Sequence, residues 1–270
     1  VLGMGGYVCF PGGLMASCAY DDGDVPGAPP IAPGGGNAWH MGAHYAYIGI
    51  MAAVGVLLVS AFAWGGAGSH PLIRRATSWS LVTVGVLAVA QLLVLASDIG
   101  GDAPWASLGS AGAATATDAG IAFVLRAGLA FALWAVVCRS TIRQPDVYWT
   151  AAAIPAAGLL GTWAFAGHGR AMRWPVVGVG TDMVHHAAAA TWVAGLAIVG
   201  FVAIPRLERD TLARVVRRFA RVAAWSVGLL VVTGVVQVVR LGGGVGALLD
   251  GNHGRSLVAK LMVLAVMLAI

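Results

Sequence analysis

The side chains of this 270-residue chain that can take a soft or borderline metal ion are seven histidines, eight methionines and three cysteines. Their densest grouping lies around one short connection between two apolar stretches. His168 follows Gly167 at the end of the first stretch, Met172 sits in the connection, and Asp182, Met183, His185 and His186 occupy the start of the second. Residues three and four apart share a helix face, so Asp182 stands beside His185 or His186, while those two histidines point about 100° apart. A carboxylate beside an imidazole can accept its N–H and leave the other nitrogen for a metal. With His168 from the neighbouring helix this makes a two- or three-ligand site for a copper ion, Cu(I) or Cu(II). A thioether from Met172 or Met183 suits Cu(I) in particular. The plainer role for each histidine is a helix-to-helix hydrogen bond, and for Asp182 an early-turn carboxylate favoured by the helix dipole.

A second, looser set lies near the N-terminus: Met4, Cys9, Met15, Cys18, His40, Met41 and His44. An oxidising compartment would let Cys9 and Cys18 close a short disulfide loop. The alternative is a lead-in that captures copper.

Such polar groups need a scaffold, and composition defines it. Hydrophobic residues make up 59% of the chain and charged residues 10%, against roughly 25% charged in a soluble domain. Apolar runs at roughly 44–66, 76–98, 119–138, 147–167, 180–204, 213–239 and 256–270 are candidate membrane spans. Only helices satisfy the backbone over runs of this kind in lipid. The expected fold is therefore all-α, a polytopic transmembrane bundle with about seven visible spans. Residues 1–42, rich in Gly and Pro, are expected to form a separate extracytoplasmic segment ahead of a transmembrane domain at 43–270.

The formal charge of +5 comes almost entirely from arginine. One set of loops holds Arg74, Arg75, Arg139, Arg143, Arg206, Arg209, Arg214, Arg217, Arg218 and Arg221, and the opposite set only Arg170, Arg173, Arg240 and Arg255. This is an orientation signal and a contact with anionic lipid, not a nucleic-acid surface. It places the N-terminus outside the cytoplasm in an inner-membrane protein, with the lipid bilayer as the obligatory partner. The chain lacks an initiator Met and ends within an apolar run too short to cross, so it reads as processed or incomplete at its ends.

The run Gly167-His168, then Asp182-x-x-His185-His186 leading to Trp192 and Gly195-Leu196, resembles the central signature of the CopD/PcoD copper-resistance membrane proteins. The likeness continues through Arg217-Arg218-Phe219-Ala220-Arg221, Thr233-Gly234, and His253-Gly254-Arg255-Ser256-Leu257-Val258-Ala259-Lys260, and Arg126 matches an arginine of the family. Ala194, Ala220 and His253 depart from the family pattern without removing a ligand. The resemblance implies an eighth span in the full protein. It also implies movement of copper across the cytoplasmic membrane, or its delivery there, often with a periplasmic copper-binding protein of the CopC type.

Two other readings remain at this level. One is an accessory subunit docked to other membrane subunits; the other is a haem-binding electron-transfer subunit with axial histidines on adjacent helices. No Walker loop, HExxH motif or Cys-x-x-Cys pair points to an enzyme or an ATP-driven pump. Arg126, deep in the third span, is expected to pair with Asp98, Asp118 or Asp182, with a gating role as the alternative. Lys260, a turn inside the last span, either snorkels or finds an internal partner.

Overall fold

A computed structural model describes residues 7–9, 18–20, 35–101, 103–139, 145–166, 174–242 and 262 of the chain. Near the N-terminus, β1 (Tyr7–Cys9) pairs antiparallel with β2 (Cys18–Tyr20), a register that sets Cys9 opposite Cys18 along the backbone. Among the described residues everything else long enough to carry the fold is helical: α1 (Gly35–Phe62), α2 (Pro71–Gly100), α3 (Asp118–Cys138), α4 (Pro145–Ala166), α5 (Pro175–Ile198) and α6 (Arg209–Gly242). A π-helical turn, Val199–Ala203, prolongs α5 to Arg206. Among the described residues five segments are long and apolar enough to cross a membrane, and they lie in α1, α2, α3, α5 and α6. The 22-residue α4 coincides with the fourth expected span. The expected span at 256–270 lies outside the described residues, apart from Met262.

Helix ends depart from the expected spans where the chain leaves the apolar zone. α1 starts at Gly35, well before the expected 44 and inside the Gly/Pro-rich segment expected at 1–42, because helix outside the hydrocarbon does not need apolar residues. It stops at Phe62 just ahead of Trp64-Gly65-Gly66, and the Ala63 and Trp64 amides both return to the Val59 carbonyl. α2 opens with Pro71 at its first position, where no amide is needed. It closes on Gly101, whose positive φ of 75° lets its N–H reach the Ser97 carbonyl at 2.8 Å. The Thr117 hydroxyl caps α3 by accepting from the Gly120 amide at 3.0 Å, and Asp118 in the first turn complements the dipole.

Side-chain pairs give the helix directions. Ser78 meets Cys138 and Gly85 faces Phe131, so α2 and α3 are antiparallel. Arg126 meets Thr162 and Leu129 faces Gly158, so α3 and α4 are antiparallel. Neighbours in sequence are neighbours in space, and α5 also packs beside α1, closing α1 to α5 into a ring. Ile50, Val54, Leu81, Val84, Leu133 and Leu159 fill the ring, and a smaller cluster around Val59, Ile73, Ile198 and Phe219 fills its other end. Among the described residues α6 packs chiefly on α5.

Candidate metal site between the fifth and sixth helices

The α5/α6 contact follows an antiparallel register: Gly178 against Arg240, Asp182 against Gln237, His185 against Thr233, Gly195 against Phe219. Glycine at two of these points lets the helices approach. A β-carbon at Gly195 would lie 2.0 Å from the Phe219 ring, and one at Gly178 would lie 2.2 Å from the Arg240 guanidinium. Val222 to Val239 is an uncharged run of 18 residues bracketed by Arg221 and Arg240, about 27 Å of helix and close to the hydrocarbon thickness. Thr233, seven residues from Arg240 in the sequence, is therefore about 10 Å inside the core from the Arg240 end.

The hydrogen bonds fix the histidine tautomers. The Thr233 hydroxyl donates to the Leu229 carbonyl at 2.6 Å, so its oxygen is the acceptor for Nδ1–H of His185, 2.8 Å away. Nδ1 of His186 is 2.6 Å from the main-chain oxygen of Asp182, which can only accept, so this nitrogen too carries a proton. With Nδ1 protonated, Nε2 is the nitrogen of each ring whose lone pair could take a proton or a metal. The Asp182 carboxylate accepts from the Gln237 amide, and Arg240, 5% exposed, donates to the Gln237 side-chain oxygen at 3.4 Å.

The 100° between successive helix positions divides the candidate residues into two groups. Asp182 and His185 face α6. Met183 and His186 face the ring, Met183 packing into the core cluster near Gly161, and His186 meeting Tyr47 edge-on at 5.4 Å. The two imidazole centroids are 6.2 Å apart with planes at 83°. Tyr47 lies against Trp163 at 4.7 Å, and Trp163 in turn lies beneath the Arg126 guanidinium at 5.0 Å. An aromatic column thus runs from the histidine pair to a fully buried cation. The donors of Arg126 go to Thr162 and not to a carboxylate: Nε to the hydroxyl and Nη2 to the carbonyl, both at 3.3 Å, with Nη1 buried and unpartnered. The expected pairing with Asp98, Asp118 or Asp182 gives way to this arrangement because two aromatic rings and a threonine are the nearer hosts.

His168 and Met172 lie outside the described residues, as do Lys260 and the side chains of Met4, Cys9, Met15, Cys18, His40 and Met41. Among the described residues no group of three or more His, Cys, Asp and Glu is arranged to hold a metal. What the structure brings together is Thr233 with His185, Gln237 with Asp182, and Tyr47 with His186. Gln237 and Tyr47 escaped the sequence reading, and Thr233 entered it only through a family resemblance. The available signal was the four-residue spacing of Thr233 and Gln237, a polar pair on one face of an otherwise apolar run.

Residues 213–270 match the family described as Copper resistance protein D, CopD. A stretch of 116 residues is 32% identical to the copper transport protein CutJ of Bacillus subtilis (strain 168), covering 42% of this chain and 21% of that protein. The chain thus spans about a fifth of the length of that curated relative. No solved structure matches.

Proposed function

From the match of residues 213–270 to the family described as Copper resistance protein D, we propose that the chain carries copper across the membrane or hands it over at the membrane surface. His185 and His186 are the entry ligands of this route and copper is its cargo. The observation that carries the reading is the pair of committed Nδ1 atoms: each imidazole has its Nδ1–H bonded to oxygen, which directs Nε2 to a metal. Asp182 supplies negative charge beside them, and His168, Met172 and Met183 complete the donor set we assign.

The reading is of a transporter and not an enzyme, seated in the cytoplasmic membrane with the Arg240 end of α6 facing outward. A CopC-type periplasmic protein would then dock at that end. The test is copper content by elemental analysis on detergent-purified wild type, His185→Ala and His168→Ala/His185→Ala, together with copper accumulation in cells expressing each. About one copper per chain, lost in the variants alongside altered accumulation, is the expected result. Equal copper in all three proteins overturns the proposal.

A further inference from the structure

On the flank of the bundle where α1, α5 and α6 meet, an open groove of about 610 Å³ runs along α6. Its lining is mostly apolar, with Leu58, Val184, Ala187 and Leu229 beside the buried hydroxyls of Thr191 and Ser226, and its one charged end carries Arg218 and Arg221. Trp225, 77% exposed, stands at its rim between the two parts. We infer that this groove holds one anionic phospholipid of the leaflet on the arginine-rich side, phosphate on Arg218 and Arg221 and one acyl chain along the floor.

Three features select this occupant. The first is charge: two exposed arginines at the end of the uncharged Val222–Val239 run lie at headgroup depth, where each attracts an anionic lipid. The second is length. Arg218 to Leu229 is eleven residues of helix, about 17 Å, and one leaflet of a ~30 Å core is about 15 Å deep. A single acyl chain anchored at the arginines therefore ends at Leu229 and Val184. The third is polarity order, since cation, indole and hydrocarbon succeed one another as phosphate, interface and acyl chain do in a lipid. A copper ion leaving the histidine pair through this groove would meet two positive charges, so the groove is not its exit. A comparable groove on the other flank of α1, lined by Met51, Val56, Val193 and Phe201 among others, has no charged residue in its lining.

The deep end of the groove adjoins the candidate metal site. Val184 precedes His185, and the Leu229 carbonyl takes the Thr233 hydroxyl that orients the His185 ring. The lipid proposal does not depend on copper binding.

Native mass spectrometry of the whole chain in non-ionic detergent, with phosphatidylglycerol, phosphatidylcholine or glycerol phosphate added separately, tests it. One phosphatidylglycerol is expected to stay bound in preference to phosphatidylcholine, and glycerol phosphate not to displace it. Arg218→Gln/Arg221→Gln should lower its retention roughly 25-fold, about fivefold for each charge near the headgroups. Arg206→Gln/Arg209→Gln, the same charge change away from the groove, should leave retention within about twofold. Val184→Trp, which fills the apolar floor and keeps both arginines, should also release the lipid. Equal retention of the two lipids, displacement by glycerol phosphate alone, or a second copy of the chain bound in place of lipid would each overturn the proposal.

Discussion

Nδ1 of His185 donates to Thr233 Oγ1 across the α5/α6 contact at 2.8 Å, so a residue 48 positions later in the chain sets which nitrogen of the ring can meet a metal. If His185 is a copper ligand, Thr233 controls its orientation. Thr233→Val keeps the shape of the side chain and removes the acceptor. Cu(I) affinity, read by competition with a chromogenic chelator, is expected to fall about 10- to 100-fold, the usual cost of losing such a supporting bond. Thr233→Ser restores the oxygen and should restore most of the affinity.

Gln237 donates to the Asp182 carboxylate. Gln237→Leu withdraws that donor from a carboxylate at membrane depth and is expected to cost ~1–3 kcal/mol of stability. Thermal unfolding in detergent measures it. Gln237→Glu should be at least as damaging, because it sets two carboxylates face to face. An unchanged melting temperature in both variants would show that Gln237 contributes nothing to holding Asp182.

Arg126 stands on Trp163 and Phe123 and donates twice to Thr162. Arg126→Ala deletes the donor to a buried carbonyl and opens a cavity beside two rings, an expected loss of ~3 kcal/mol or more. Arg126→Lys keeps the charge but not the planar fork, and should fall between alanine and wild type. The same unfolding experiment ranks the three.

Two glycines predict an order of packing damage. A β-carbon at Gly55 would lie 2.3 Å from the Ala190 main-chain oxygen, whereas one at Gly178 would meet the far end of the long Arg240 side chain. Gly55→Ala is therefore expected to cost ~1–3 kcal/mol, since backbone must move, and Gly178→Ala clearly less. Reversal of that order in denaturation midpoints would refute the close approach of α1 to α5.

The spans were legible in the sequence because each is a run of apolar residues long enough to cross lipid, and α2 to α6 coincide with five of them. Their ends were not, because Pro71, Gly101 and the Gly65-Gly66 pair set them by local geometry and not by hydrophobicity. Within α5, helical spacing alone separated the bearings of His185 and His186. The partners of these histidines were hidden, since Thr233 and Tyr47 come from distant parts of the chain, and only the antiparallel register of α5 and α6 and the packing of α1 beside α5 deliver them. Arg126 misled in a related way: charge suggested a carboxylate partner, and the folded ring offered aromatic faces and a threonine.

Among the described residues α6 leans chiefly on α5, while α1 to α5 embrace one another. Two of the bonds fastening α6, from His185 to Thr233 and from Gln237 to Asp182, involve the very groups assigned to copper. If copper binds Nε2 of His185 with Nδ1 still bonded to Thr233, binding tightens the fastening, and any slackening of α6 weakens the grip on the ion by the same free energy. On the proposed function, helix adhesion and cargo affinity would then be two readings of one equilibrium across the α5/α6 seam.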